Sequence, residues 1–371
     1  DNSMYDLHAG LSDVFISLKL GWSLRKMSVT LRSMIICWLI YIVFSYAALM
    51  LTASSRALGF VNLFRYFELF PLFPSEFGGT WQYGIYGLGI VLSIFYIMET
   101  GTAVARSTFE DICGKKDVSI KELKRFARSS RWTIILSVVL LGLVFLVFPV
   151  SIMLWSLTAR IPLFGFIIIA VTSIPMFVWG LSGVAVFFVF IFGFFMVPAI
   201  LACTEYDSTS TVIEMFILVL LHPFRFFMFE LASGIMTILS AMFLSVFACV
   251  SMIYLYIINM GLIGDSFYTL VCASIKHIPG VSSLFVFISA FWGKYNTMKD
   301  ILFPVETLSL SAQYIAGWIL GLSLIFIILW ILSYSFATLC SSQVITYIAL
   351  RKQNDGVDIR FNHTKQVLLK Q

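Results

Sequence analysis

The fold of this chain is most clearly predicted by the stretch VSIKELKRFARSSRW, residues 118–132, because a long apolar run follows it directly. Residues 133–158, TIILSVVLLGLVFLVFPVSIMLWSLT, contain no charged side chain. About 20 apolar residues in a helix are enough to cross the hydrocarbon core of a bilayer. The two segments together therefore predict a helix on the membrane surface that leads into a transmembrane helix.

The first of these segments has the pattern of an amphipathic helix. One face carries apolar side chains and the other carries basic ones: Ile120, Leu123 and Ala127 against Lys121, Lys124, Arg125 and Arg128. Ser119 and Glu122 have the spacing of a capping box, in which both side chains bind free N–H groups of the first turn. A basic amphipathic helix of this kind is suited to anionic lipid headgroups.

The composition predicts the same environment for much of the chain. Of the 371 residues, 60% are hydrophobic and 12% are charged, whereas roughly 25% are charged in soluble domains. The long apolar runs do not alternate, which argues against a β-barrel. We expect an all-α polytopic membrane helix bundle, a single domain over residues 1–371. Its six predicted spans are 33–53, 83–104, 133–158, 177–202, 227–257 and 314–346.

The distribution of lysine and arginine predicts the orientation. Eighteen of the 24 basic residues fall on one side of the predicted spans and six fall on the other. Basic residues are enriched in the short cytoplasmic loops of membrane proteins. We therefore predict a multi-pass protein of the cell inner (cytoplasmic) membrane, with both termini and a tail at 347–371 in the cytoplasm.

Two further segments resemble residues 118–132. They are LSDVFISLKLGWSLRKM at 11–27 and STVIEMFILVLLHPFRFF at 210–227, and Thr211 with Glu214 offers a second capping box. In each segment a surface helix gives way to a span at an aromatic residue and an arginine, and we call these places, residues 22–25, 130–132 and 222–225, the elbows. The predicted interfacial anchors are Trp22, Arg25, Arg131, Trp132, His222 and Arg225. The spacing favours three repeats of one surface helix and two spans, at 11–104, 118–202 and 208–346.

The third elbow contains a histidine that has two interpretations. His222 could act as a ligand or proton carrier in the membrane, or it could lie where a surface helix turns into a span. Pro223 lacks an N–H group, so it favours the end of one helix or the start of the next. The other histidines, His8, His277 and His363, lie outside the spans, and we therefore interpret His222 as part of an elbow.

Three connections carry further predictions. Residues 163–175 are apolar but short, and they predict a half-helix that ends at Pro175. Residues 56–82 are rich in aromatic side chains, which predicts a segment in the outer interface. Residues 258–312 form the longest connection, which is either a cap over the bundle or a docking surface for a partner protein.

Chemistry in a membrane protein is best sought among ionisable residues inside the spans. Glu99 and Glu230 are the candidates, and we expect each to pair with Arg106 or Arg225 or to cap a neighbouring helix. An alternative is a polar intramembrane site for a cation or proton, formed by Glu99, Thr100, Thr102 and Glu230. The six cysteines form no CxxC pattern and no catalytic or phosphate-binding motif is present. We predict neither an enzyme nor a bound metal or cofactor.

Several motifs together resemble a known group of proteins. They are VSIKELKRFARSSRW at 118–132, RIPLFG at 160–165, VPAILACTEYDSTSTVIEMFILVLLHPFRFF at 197–227 and YIALRKQNDGVDIRF at 347–361. The chain resembles uncharacterised six-span bacterial membrane proteins related to the membrane domain that accompanies some glycerophosphodiester phosphodiesterases. The residues that match the tail motif of that group are Tyr347, Leu350, Arg351, Asp355, Gly356 and Asp358. The resemblance implies the membrane fold, and no hydrolase domain accompanies it here.

These observations favour a non-enzymatic membrane subunit, a scaffold or accessory protein that organises lipid or a larger membrane assembly. The expected partners are anionic membrane lipids and other proteins of a complex. Nucleic acid is not expected, because the basic run 115–131 lies between two spans. The alternative is a transporter or permease with a path for a small solute or ion near Glu99 and Glu230.

Overall fold

The structure is a computed structural model that describes residues 10–51, 79–115, 118–161, 164–263, 270 and 311–356. These residues form α-helices and short 3-10 turns, and no strand occurs among them. The all-α prediction is confirmed. The predicted interfacial segment at 56–78 and most of the connection at 258–312 lie outside the described residues.

Ten α-helices are described. They are α1 (Ile16–Gly21), α2 (Leu24–Met50), α3 (Thr80–Ile112), α4 (Ile120–Ser129), α5 (Arg131–Ser156), α6 (Gly165–Val171), α7 (Ser173–Thr204), α8 (Ser208–Leu221), α9 (Pro223–Ile263) and α10 (Ser311–Asp355). Helices α2, α3, α5, α7, α9 and α10 are long and apolar enough to cross a membrane. The prediction of six spans is confirmed.

The long helices extend beyond the predicted spans at the ends that carry basic residues. Helix α5 begins at Arg131 itself, and α10 continues to Asp355, so residues 347–355 of the predicted tail are helical. Gly356 follows with a φ of +66°, and its N–H donates to the carbonyl of Lys352 at 3.1 Å. A glycine with positive φ just past the last turn is a common helix stop.

A short helix precedes a long helix at each predicted elbow. Two residues separate α1 from α2, and one residue separates α4 from α5 and α8 from α9. Among the described residues the order of a short helix followed by two long ones therefore occurs three times, with α6 as an addition to the second group. The predicted repeats are consistent with this order.

The apolar segment before the fourth span differs from its prediction. Helix α6 ends at Val171, and α7 then begins at Ser173, so Pro175 lies in the first turn of a long helix instead of ending a short one. The first-turn N–H groups of a helix have no partner within it, and proline is tolerated there.

One of the two predicted capping boxes is present. The N–H of Lys121 donates to Ser119 Oγ at 3.1 Å, and the N–H of Ser119 donates to a carboxylate oxygen of Glu122 at 3.2 Å. The pair Thr211 and Glu214 is different, because α8 already begins at Ser208. Both residues are therefore inside the helix, where the carboxylate of Glu214 is free to bind another element.

The chain divides into two compact units. Unit 1 contains residues 1–30, 97–240 and 335–371, and unit 2 contains residues 31–96 and 241–334. Four of the long helices, α2, α3, α9 and α10, contribute residues to both units.

In unit 1, helices α5, α7 and α8 pack on one another. Aromatic rings fill the contact between α5 and α7: the Phe145 and Phe187 centroids are 5.3 Å apart, and those of Phe148 and Trp179 are 4.8 Å apart. Glycine allows close approach on the same face, since a Cβ at Gly183 would lie 3.0 Å from the Cβ of Phe148. Aromatic and small residues therefore alternate across this interface, as expected where helices associate in lipid.

The end of α10 is the most enclosed segment of unit 1. Every residue from Cys340 to Leu350 is buried, and the segment includes five polar side chains: Ser341, Ser342, Gln343, Thr346 and Tyr347. The glycine that ends α1 lies against it, because a Cβ at Gly21 would be 2.9 Å from the Cα of Thr338. This close contact fixes the first elbow on the side of α10.

Unit 2 is formed by the remaining parts of the long helices. Tyr46, Ala48 and Leu49 of α2 form a small buried cluster against α3, where the Tyr41 and Tyr86 rings meet edge to face at 5.9 Å. No residue of α9 from 241 to 259 is buried, although this stretch is strongly apolar. Such a surface is compatible with lipid and not with water.

Candidate functional site

The first elbow joins α1 to α2 and is fixed by charge. The side chain of Trp22 is 54% exposed, whereas the guanidinium of Arg25 turns inward. Arg25 Nη2 lies 2.9 Å from Asp111 Oδ1 at the end of α3, and Nη1 donates to the carbonyl of Val118 at 2.9 Å. One anchor is thus available to the membrane interface, and the other stabilises the contact between α2 and α3.

The second elbow joins α4 to α5 in a similar way. Trp132 is 77% exposed, and the guanidinium of Arg131 binds both carboxylate oxygens of Glu99, with Nε to Oε2 at 2.9 Å and Nη2 to Oε1 at 3.1 Å. A bidentate pair of this kind defines orientation as well as distance. Arg131, and not the expected Arg106 or Arg225, is therefore the partner of Glu99.

The third elbow joins α8 to α9. His222 separates the helices and Pro223 opens the second one, where the carbonyl of His222 accepts the N–H of Phe226 at 3.0 Å. The ring of Phe226 is buried against Phe192, whereas His222 and Arg225 are exposed. The geometry is that of a turn between two helices, as the interpretation of His222 as part of an elbow requires.

Two bases of unit 1, Lys26 and Arg106, have little exposure and are paired with carboxylates. The side chain of Lys26 is 1% exposed, and its Nζ lies 2.9 Å from Asp111 Oδ2 and 2.9 Å from the carbonyl of Leu20. Arg106 binds Glu110 at 3.0 Å and Glu205 at 2.9 Å. Buried charges are stable only when they are paired and hydrogen-bonded, so these contacts are structural requirements of the unit.

A second charged contact joins α8 to the end of α10. The carboxylate of Glu214 accepts hydrogen bonds from the Arg351 guanidinium and, at 3.3 Å, from the Tyr347 hydroxyl. Tyr347 and Arg351 are four residues apart on one helix face. This i, i+4 spacing is a signal in the sequence that could have predicted a common partner for the two side chains. Both residues were instead predicted to lie in the C-terminal tail.

Glu230 has a partner of another kind. Gln343 Nε2 donates to Glu230 Oε2 at 2.8 Å and to Ser233 Oγ at 3.3 Å, and the hydroxyls of Ser233 and Ser342 are also hydrogen-bonded. Glu230 Oε1, Gln343 Oε1 and Thr346 Oγ1 are buried and have no hydrogen-bond partner among the described residues. We call this set the α9–α10 polar contact; its residues are Glu230, Ser233, Ser342, Gln343 and Thr346.

The two carboxylates of the predicted intramembrane site, Glu99 and Glu230, have different partners. Glu99 is held by Arg131 and Glu230 by Gln343, while Thr102 donates to the carbonyl of Met98 on its own helix at 3.0 Å. Thr100, which follows Glu99 in α3, is also buried. Of the four predicted residues, Glu230 is the one whose carboxylate retains a buried oxygen without a described donor.

Metal-binding geometry is also not apparent in the described part of the chain. Within those ranges no group of three or more His, Cys, Asp or Glu side chains could hold a metal ion. The described cysteines are free thiols distributed over five helices and turns: Cys37, Cys113, Cys203, Cys249 and Cys340.

The fold and these contacts define the class: the protein is an α-helical multi-pass membrane protein, and six spans lie in the part of the chain that the structure describes. Comparisons with protein-family models, with curated proteins and with solved structures found no match. The particular role of the protein therefore has to be inferred from the residues themselves.

Proposed function

We propose that the protein is a non-enzymatic subunit of the cytoplasmic membrane that binds anionic lipid and organises a larger membrane assembly, with both termini in the cytoplasm. The observation that carries the proposal is the elbow, which occurs three times with an exposed aromatic residue at the start of an apolar helix. Aromatic and basic side chains at helix ends anchor proteins at the headgroup level. The unburied stretch of α9 at 241–259 offers a surface for lipid or another subunit.

Gentle extraction into polymer-bounded lipid discs tests this proposal. We expect either a stoichiometric protein partner or an excess of anionic lipid over the bulk membrane in the purified discs, measured by mass spectrometry. A preparation that contains neither would contradict the proposal.

The basic face of α4 should contribute to the selection of lipid. Lys121, Arg125 and Arg128 are exposed, whereas Leu123 and Ala127 are buried against the unit. We expect the triple change of these bases to Gln to lower the ratio of phosphatidylglycerol to phosphatidylethanolamine in the discs several-fold, since each base near an anionic surface contributes about 1 kcal/mol. The matched control variant keeps the charge, because it replaces Lys121 with Arg and both Arg125 and Arg128 with Lys. An equal lipid ratio in the Gln variant and in this control would contradict a role for the basic face of α4.

A transporter is the second candidate function, and the α9–α10 polar contact is the observation that favours it. Oxygen ligands suit hard cations, and Glu230 and Gln343 each have a buried oxygen to which no described residue donates. Intramembrane carboxylates are common along ion pathways.

Flux measurements in proteoliposomes separate the two functions. If the contact forms part of a path, Glu230→Gln is expected to reduce ion or proton flux at least tenfold, while Glu122→Gln on the surface of α4 leaves it unchanged. Wild-type flux no greater than that of protein-free liposomes would remove the transporter as a candidate, whereas flux that is lost in Glu230→Gln alone would remove the scaffold.

Two parts of the proposal rest on sequence patterns. They are the resemblance to the six-span bacterial membrane proteins and the location of both termini in the cytoplasm. Reporter fusions that are active only in the cytoplasm should therefore be active at either terminus, and activity at one terminus alone would contradict an even number of spans.

A further inference from the structure

The third elbow differs from the other two in what its arginine contacts. Arg25 and Arg131 each bind a carboxylate of α3, Asp111 and Glu99 respectively. Arg225 is exposed, and no described residue forms an ion pair or hydrogen bond with it. The sequence places an arginine at all three elbows. Arg131 is also half-exposed, but of the three arginines Arg225 is the one without a carboxylate partner among the described residues.

An open groove of about 560 Å³ lies beside this guanidinium within unit 1. Its lining is formed by Leu11, Phe224, Arg225, Met228, Phe229 and Gln353. Two of these side chains are polar and four are apolar. Its volume falls within the range of small-ligand sites, roughly 300–1,000 Å³.

The groove is placed where lipid headgroups are expected. Arg225 is the third residue of the span α9, and Met228 and Phe229 lie one turn farther along it. A cation at the end of a membrane helix reaches the headgroup level, and the apolar side chains beyond it lie toward the hydrocarbon. Polar and apolar walls thus follow the same order as the headgroup and acyl chain of a phospholipid.

We propose that the third elbow is a binding site for one anionic phospholipid. The guanidinium of Arg225 holds the phosphate through two parallel N–H donors, and the exposed imidazole of His222 lies three residues before it. The first acyl chain runs along Phe224 and Met228. This inference rests on the proposed function, because it names the lipid class and one place where the protein holds it.

Native mass spectrometry of the full chain in detergent tests the site. Phosphatidylglycerol, phosphatidylcholine and inorganic phosphate are titrated separately against the wild type, Arg225→Gln and Arg160→Gln. Arg160 is an exposed base at the end of the 3-10 turn that follows α5, and it does not line the groove, so its variant has the same change in net charge away from the site. We expect a first phosphatidylglycerol to bind the wild type and Arg160→Gln equally, and Arg225→Gln about tenfold more weakly, as for the loss of the charge-assisted hydrogen bonds to the phosphate.

The other outcomes would overturn the site. Equal binding of phosphatidylglycerol by both variants, equal affinity of the wild type for phosphatidylcholine, or tight binding of inorganic phosphate alone each contradicts a phospholipid at Arg225. A variant Arg225→Lys that restores at least part of the affinity would show that the lost interaction is the charge and not the fold. The lipid content of the discs separates the site from the proposed function. If the titrations contradict the site but discs of both Gln variants still contain an excess of anionic lipid, the site is wrong and the proposed function stands.

Discussion

Asp111→Asn is expected to destabilise the protein by about 3–5 kcal/mol, the cost of leaving one member of a buried ion pair without its partner. Asp111 is the carboxylate that neutralises both Lys26 and Arg25, at 2.9 Å each. Lys26 is almost completely buried, so water cannot replace the lost charge. The measurement is equilibrium unfolding in mixed micelles of mild detergent and dodecyl sulfate, followed by tryptophan fluorescence.

The double variant Lys26→Met with Asp111→Asn distinguishes a charge effect from a packing effect. Methionine has a similar length and no charge, so most of the lost stability should return. Glu122→Gln removes a carboxylate from the surface of α4, and we expect less than about 1 kcal/mol for it. If Asp111→Asn were as mild as Glu122→Gln, the buried pair would not have the structural importance assigned to it.

The second large effect is expected for Gly21→Ala, at roughly 1–3 kcal/mol of lost stability, as for other overpacked cores. A Cβ at residue 21 would lie 2.9 Å from both the Cα and the N of Thr338. These are backbone atoms of a buried helix, which cannot move aside as the end of a side chain can. The first elbow would have to separate from α10.

Gly234→Ala is the matched control for this change. Gly234 lies inside α9, and a Cβ there would have no heavy atom within 4 Å, so the better helix propensity of alanine should stabilise the protein by up to about 1 kcal/mol. The same unfolding titration is used for both variants. Equal effects of the two substitutions would contradict the close contact between α1 and α10.

The spans and the elbows could be predicted from sequence because their signals are local. An apolar run of 20 or more residues specifies a span wherever it occurs, and Arg131 with Trp132 marks the start of α5 within two residues. The capping box of Ser119 was also predicted, since the atoms involved lie within four residues of one another.

The charged contacts could not be predicted, because they depend on which helix faces meet. Glu99 and Arg131 are 32 residues apart, and Glu214 and Arg351 are 137 apart. A count of bases assigned Lys26 to the membrane surface, although the structure buries it. The spacing of Thr211 and Glu214 fits a capping box, but tertiary contacts determined the partner of Glu214 instead.

The contact between Glu214 and Arg351 has a consequence for the order of biosynthesis. Ribosomes add about 5–20 residues per second, so roughly seven to thirty seconds pass between the synthesis of the carboxylate and that of its guanidinium partner, 137 residues later. During this interval α8 is complete but carries a charge that has not yet met its counterion, and the buried end of α10 does not yet exist. Unit 1 can therefore close only after its latest-made helix has been released into the bilayer, and an insertase or chaperone that shields α8 would act in that interval.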